Sequence, residues 1–358
     1  MANRGVGGGI LIMNIIFFDA KPFEKPYFSK ALLGHNLFFT PFEADKFVEE
    51  NTLVKKLPFK IEKTDAVSGF IYSNFTSAVL AFFPKLKIIA TRSTGTDHID
   101  LKECSRRGID VRSVPEYGTN TVAEHTWALI LALIRKIPQS TEKAKKGDFS
   151  RENLQGFDTF GKTLGIVGCG KIGSRVGELG RAFGCSVLAF DPYADAKSLA
   201  GRGFLKASLG EIYSNCDIIS FHTPLTKETI HLLSTKDIQD LKRGVFIINT
   251  ARGGLIETKA LLRGLQDGVI AGVALDVLEE EEDLAEEAEL IHGRKLTSSE
   301  KETLLQNHIL LKDERVLITP HNAFNTKEAL ERIMEKTVEN ILNLKVQSSN
   351  AKKILNNK

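Results

Sequence analysis

The chain has 358 residues, 42% of them hydrophobic and 26% charged, which is long enough for two ordinary globular cores. Its 48 basic and 45 acidic side chains leave a net charge of only +3 without a dense Lys/Arg run, which argues against a nucleic-acid partner. Four scattered cysteines (Cys104, Cys169, Cys185, Cys216) lack zinc-site or disulfide-framework spacing and suit a reduced, cytoplasmic protein with no metal site.

Residues 1–9 are glycine-rich and are expected to lie outside the fold. The apolar run 10–18 is too short to span a bilayer and has no signal-peptide cleavage pattern, so 14–19 is predicted as the first strand. Short apolar runs at 15–18, 37–39, 66–72, 88–91 and 111–114, with helical segments between them, form a first set of parallel strands. The segment 122–137 (VAEHTWALILALIRKI) is apolar nearly all round. Such a helix must be covered on most faces, and a homodimer interface is the expected use. Glu124, His125 and Arg135 interrupt the run, and its shortness speaks against a membrane span.

Residues 163–191 (TLGIVGCGKIGSRVGELGRAFGCSVLAFD) then read as strand, glycine turn, helix, strand and acidic residue. Gly168 suits the tight turn and Gly170 a close approach of the pyrophosphate. Gly173 lets the helix pack closely on the strand, and the helix N-terminus faces the phosphates. Asp191, 18 residues after Gly173, suits the adenosine ribose hydroxyls and repels a 2′-phosphate, so NAD is expected rather than NADP. A second set of strands follows at 164–167, 187–190, 218–221, 245–249, 270–275 and 316–319. The acidic stretch from Glu279 is expected to be mostly solvated, inside a partly helical insertion reaching Leu311. A last helix over 326–344, with Ala329, Ile333, Thr337 and Ile341 repeating every four residues, is expected to return to the N-terminal domain.

The fold class is therefore α/β, with two doubly wound parallel-sheet domains and a cleft between them. Residues 10–115 and 320–346 form the flavodoxin-like substrate domain, and 116–319 the Rossmann NAD domain. Three strands of the second set end in polar groups: Thr250-Ala251-Arg252, Asp276 with Glu279, Glu280 and Glu281 after it, and Pro320-His321. Hydride transfer to a 2-oxo acid needs a cation for the carboxylate, a proton donor for the carbonyl oxygen, and a partner that keeps the donor protonated. Arginine's planar fork suits the first. Histidine, with a reference pKa of about 6.5, suits the second. A neighbouring carboxylate suits the third.

At these residues the chain resembles the NAD-dependent D-2-hydroxyacid dehydrogenases, with the D-lactate dehydrogenases nearest in look. The motifs are RSTGTDHID at 92–100, VPEYGTNTVAEHT at 114–126, GCGKIG at 168–173, NTARGG at 249–254, ALDV at 274–277 and TPHNAF at 319–324. The resemblance implies that Arg252 binds the substrate carboxylate and polarises its carbonyl, that His321 is the acid/base, and that Glu281 is its partner, with Glu280 a competitor for that place. It also implies cofactor contacts from Lys171, Ile172, Thr223, Thr250, Ala251 and Asp276, the last with the nicotinamide carboxamide. Thr94 and Gly95 would take the substrate carboxylate through backbone amides, while Tyr72, Tyr117 and Phe324 would line the side-chain pocket. His125, His222 and His231 are expected to be structural, and Asp97 and His98 to organise their loop. The segment HNAFNT departs from the aromatic pair usual in D-lactate dehydrogenases. The alternatives are an enzyme like phosphoglycerate dehydrogenase, or an NADH-sensing binding protein of the corepressor type.

Overall fold

The computed structural model describes residues 12–279 and 297–343. They divide into two units: the described residues up to Tyr117 with those from Lys327 onward, and Gly118–Thr326.

In the first unit, β1 (Asn14–Phe17), β2 (Asn36–Phe39), β3 (Ala66–Ser68), β4 (Ile88–Ala90) and β5 (Asp110–Arg112) form an all-parallel sheet. Their order, β2-β1-β3-β4-β5, is that of a flavodoxin-like domain. Successive side chains of a strand face opposite ways, and here both faces are covered, which explains the unbroken apolar run. Ile15 and Phe17 pack with Phe28, Met334 and Ile341, while Ile16 and Phe18 pack with Phe47, Phe75 and Phe83. Met334 and Ile341 belong to the last helix, Lys327–Leu342, whose Ala329, Ile333, Thr337 and Ile341 are all buried. One predicted strand is shorter than its apolar run. Residues 66–72 leave the sheet after Ser68, because the Asp19 carboxylate accepts from the Phe70 amide (3.1 Å) and the Ser73 hydroxyl and draws them into a turn. Tyr72 sits in that turn.

In the second unit, β6 (Thr163–Val167), β7 (Ser186–Phe190), β8 (Leu205–Lys206), β9 (Ile218–Phe221), β10 (Val245–Asn249), β11 (Ile270–Leu275) and β12 (Val316–Ile318) are also all parallel. Their order, β12-β11-β10-β9-β6-β7-β8, is the dinucleotide-binding order with one strand added at the β12 edge. Only β8 was not predicted. It has two residues, both exposed, and so carries no apolar run to read. Residues 320–326 cluster with this unit, although the sequence placed them with the last helix. The reason is hydrogen bonding: the amides of His321, Asn322 and Ala323 all donate to Asp276.

The apolar helix runs Thr119–Ile134 and stops where Lys136 turns left-handed (φ 51°), ahead of a second helix at Ile137–Lys145. Its own unit covers most of it. Trp127 donates to the Val176 carbonyl (2.9 Å) and stacks on Phe183 at 4.5 Å, while Ala123, Ile130 and Leu133 pack with Leu164, Ile166 and Ala274. Ala128 stays exposed on this helix, and Leu131 and Ala132 are half-buried. Among the described residues no helix is long and apolar enough to cross a membrane. After the insertion, Thr297 and Glu300 form a capping box that starts the helix Ser298–Lys312.

Candidate active site

The parallel register lines up six strand ends in the second unit. Phe190 pairs with Val167, Val167 with Phe221, Phe221 with Asn249, Asn249 with Leu275, and Leu275 with Ile318. Asp191, Gly168, His222, Thr250, Asp276 and Thr319 are therefore each the next residue past one common row. This is the carboxyl edge, where doubly wound sheets bind ligands.

The glycine turn has the geometry its sequence predicts. Gly168 has φ +94°, and a Cβ there would also lie 2.8 Å from the His222 carbonyl and from the Thr223 methyl. A Cβ on Gly173 would lie 2.0 Å from the Gly168 carbonyl oxygen, so only glycine lets the helix Lys171–Ala182 begin this close to the turn. Beside Gly170, by contrast, an added Cβ meets nothing within 4 Å, leaving the backbone open to a ligand. Asp191 closes the other side: one carboxylate oxygen accepts from the Cys169 amide (2.9 Å), the other from the amides of Tyr193 (2.8 Å) and Ala194 (3.2 Å). The oxygen bound by Cys169 alone keeps a lone pair for a ribose hydroxyl. These residues fit a dinucleotide, and the helix that begins at Lys171 turns its N-terminus to the glycine turn, where it would favour an anion. Burial and the nearby Asp191 push the Cys169 thiol up to about 11, so it is no ready thiolate.

The Arg252 turn is built by a side chain the sequence reading passed over. Asn249 donates from its amide to the Arg252 carbonyl (2.8 Å) and accepts from the Ala251 amide (3.0 Å). Arg252 itself donates to the Ala251 carbonyl at 2.7 Å. A Cβ on Gly253 would lie 2.0 Å from the Leu278 carbonyl oxygen, so a glycine is required where this turn passes the segment after β11. Thr250 is buried and shares a 2.8 Å hydroxyl contact with Thr126. Since Thr126 donates to the Val122 carbonyl (2.7 Å), Thr250 is the donor of that pair.

Asp276, 1% exposed, lies beneath the His321 turn. Its carboxylate accepts from the Thr319 hydroxyl (2.5 Å) and from the amides of Asn322 and Ala323 (2.8 Å each), and its carbonyl accepts from the His321 amide (2.9 Å). Burial alone would raise its pKa; hydrogen bonds from His125, Thr319, Ala323 and Asn322 outweigh it and hold the carboxyl below its ordinary value. Asp276 thus supports the His321 turn, a role the sequence reading did not give it. His321 is left-handed (φ 46°), and its ring meets the edge of Phe324 at 6.4 Å between centroids.

Glu280 and Glu281 lie outside the described residues. Glu279 is committed elsewhere: it accepts from His231 Nε2 (2.5 Å) and from the Thr258 amide and hydroxyl (3.0 and 2.9 Å). Of the histidines expected to be structural, His231 is thereby accounted for. His222 bonds Ser220 (2.8 Å), and burial holds its imidazole down to about 3, neutral at any working pH. His125 is different, because it reaches Thr319 (3.2 Å) and Asp276 (3.4 Å). The signal was present in VAEHT, where polar residues interrupt a mostly apolar helix. In the first unit, Thr94 donates to the Val114 carbonyl (3.0 Å), and the Gly95 carbonyl accepts from Ser93 (2.7 Å). The Tyr117 carbonyl is held by Arg332 of the last helix (2.9 and 2.7 Å), and His98 bonds Thr91 (3.1 Å) within its loop.

Residues 127–323 match the family model described as D-isomer specific 2-hydroxyacid dehydrogenase, NAD binding domain. The chain is 36% identical to 2-hydroxyacid dehydrogenase homolog 1 of Schizosaccharomyces pombe, over 96% of this chain and 100% of that protein. It is 33% identical to the D-lactate dehydrogenase of Escherichia coli, over 93% of this chain and 97% of that enzyme. Among solved structures, the D-lactate dehydrogenase of Aquifex aeolicus, complexed with NAD and lactic acid, superimposes with a TM-score of 0.82 at 36% identity, covering 94% of this chain and 97% of that one. The aligned strand ends, the glycine turn and these matches lead to one conclusion: the chain belongs to the NAD-dependent D-2-hydroxyacid dehydrogenases.

Proposed function

We propose that the protein interconverts a small 2-oxo acid, pyruvate or one of similar size, and its D-2-hydroxy acid. The observation that carries this is the alignment of β10, β11 and β12, which brings Arg252, Asp276 and His321 out at one edge. Likeness to D-lactate dehydrogenases along nearly the whole chain supports the choice of substrate size. Arg252 binds the substrate carboxylate with its planar fork and polarises the neighbouring carbonyl. NADH, when bound, supplies the hydride that reaches the carbonyl carbon. His321 gives its proton to the carbonyl oxygen during reduction and takes it back during oxidation, and Glu281 keeps it charged. Thr94 and Gly95 contribute backbone amides to the carboxylate, and Tyr72, Tyr117 and Phe324 select the side chain. On the cofactor side, Thr223, Thr250, Ala251 and Asp276 border the dinucleotide. Four cysteines without disulfides suit a cytoplasmic enzyme.

A screen of 2-oxo acids that follows NADH absorbance tests this. Pyruvate or another small 2-oxo acid should support steady turnover, and NADH binding without turnover of any of them would instead favour an NADH-sensing protein. The same assay reads the role of Asp191. NADPH should be a far poorer donor than NADH, since its 2′-phosphate would face the carboxylate. Equal efficiency with both would overturn that role.

A further inference from the structure

The His321 turn is one that an L-residue adopts only at a steric cost. Its φ of 46° brings the Cβ close to the backbone, so neighbouring groups must maintain it. Four donors around it end on Asp276, beside a second bond from the His321 amide to the Thr319 carbonyl (2.9 Å): the His321 amide on the Asp276 carbonyl (2.9 Å), the Asn322 and Ala323 amides on its two carboxylate oxygens (2.8 Å each), and the Thr319 hydroxyl (2.5 Å). A buried carboxylate with this many donors is stable only while all of them stay in place.

The last donor is His125. Thr319 has one hydroxyl hydrogen and gives it to Asp276, so the Thr319 oxygen can only accept from His125 Nε2, 3.2 Å away. The same ring nitrogen is 3.4 Å from Asp276 Oδ1. His125 therefore carries its hydrogen on Nε2. The helix that bears it is anchored beside it, by Thr126 to Thr250 (2.8 Å) and by Trp127 to the Val176 carbonyl (2.9 Å). One helix thus aligns the ends of β10, β11 and β12.

We propose that His125 is a positioning residue for His321: its Nε2–H completes the hydrogen bonds on Thr319 and Asp276, and Asp276 in turn holds the left-handed turn that aims the His321 imidazole. This rests on the assignment of His321 as the acid/base. His125 touches neither substrate nor reacting atoms in this scheme.

The test uses His125→Gln and His125→Asn in the full chain. A glutamine amide reaches about as far as Nε2 and keeps the N–H, whereas an asparagine amide falls short. His125→Asn should lower kcat for 2-oxo acid reduction about tenfold or more, with the Kd for NADH within about twofold of wild type. Hydrogen–deuterium exchange of a peptide spanning 319–326 should accelerate about tenfold in the same variant. His125→Gln should restore both. Thr319→Val, which removes the relay from the other side, should reproduce His125→Asn. Wild-type kcat and exchange in His125→Asn, or in Thr319→Val if His125→Asn does not fold, would overturn the proposal. So would a His125→Gln variant as impaired as His125→Asn. Exchange needs no turnover, so it also separates the two failures. If the wild-type protein reduces no 2-oxo acid, the assignment of His321 falls; if the wild type is active and the exchange does not change, only the role of His125 falls.

Discussion

Replacing Arg252 by alanine is expected to lower kcat/KM for the 2-oxo acid by about a thousandfold, about 4 kcal/mol of transition-state stabilisation, and to leave NADH binding nearly intact. The selectivity follows from where the arginine sits. Its turn is made by the side chain of Asn249 and by the close pass of Gly253 under Leu278, so truncating the side chain leaves the backbone in place. The glycine turn and Asp191, proposed as the dinucleotide site, lie at the ends of β6 and β7. Arg252→Lys should recover only part of the loss, because an ammonium cannot engage both carboxylate oxygens in a fork. The measurement is steady-state kinetics beside a fluorescence titration with NADH. Near-normal kinetics in a folded Arg252→Ala protein would remove Arg252 from the site.

The second large effect is at His321. His321→Gln should reduce kcat by about a hundredfold to ten-thousandfold in both directions, the range for a positioned acid/base. The wild-type pH profiles should run oppositely. Reduction needs imidazolium and slows as pH rises, while oxidation needs neutral imidazole and slows as pH falls. A carboxylate partner favours the charged ring, so removing its charge should move the reduction limb to lower pH. Glu281→Gln is expected to produce that shift and Glu280→Gln to leave the profile unchanged. Glu279→Gln is a useful control, since this carboxylate already serves His231 and Thr258. A shift in Glu280→Gln alone would move the partner by one residue. No shift in either variant would leave His321 without a carboxylate partner.

Strands buried on both faces were legible because their apolar runs are unbroken, as in β1, β10 and β11. The glycine turn was legible because each glycine answers a separate steric demand, met in the structure at Gly168 and Gly173. The last helix showed its buried face through Ala329, Ile333, Thr337 and Ile341. What the sequence did not show depends on contacts between distant residues. The end of β3 is set by Asp19, some 50 positions earlier, and β8 offers no apolar signal at all. How much of the apolar helix its own unit covers is likewise not told by pattern alone. Among the candidate site residues, Arg252 and His321 stood out as polar groups after strands. Asn249, Thr319 and His125 did not, since their part lies in what they bond to rather than in what they are.

The most direct measurement is the enantiomer formed when the protein, NADH and pyruvate are incubated together and the lactate is resolved on a chiral column. NADH consumption should match lactate formed one for one, with the D enantiomer as essentially the only product. Matched consumption yielding L-lactate, or NADH bound without oxidation by pyruvate or any other small 2-oxo acid, would contradict the proposed reaction.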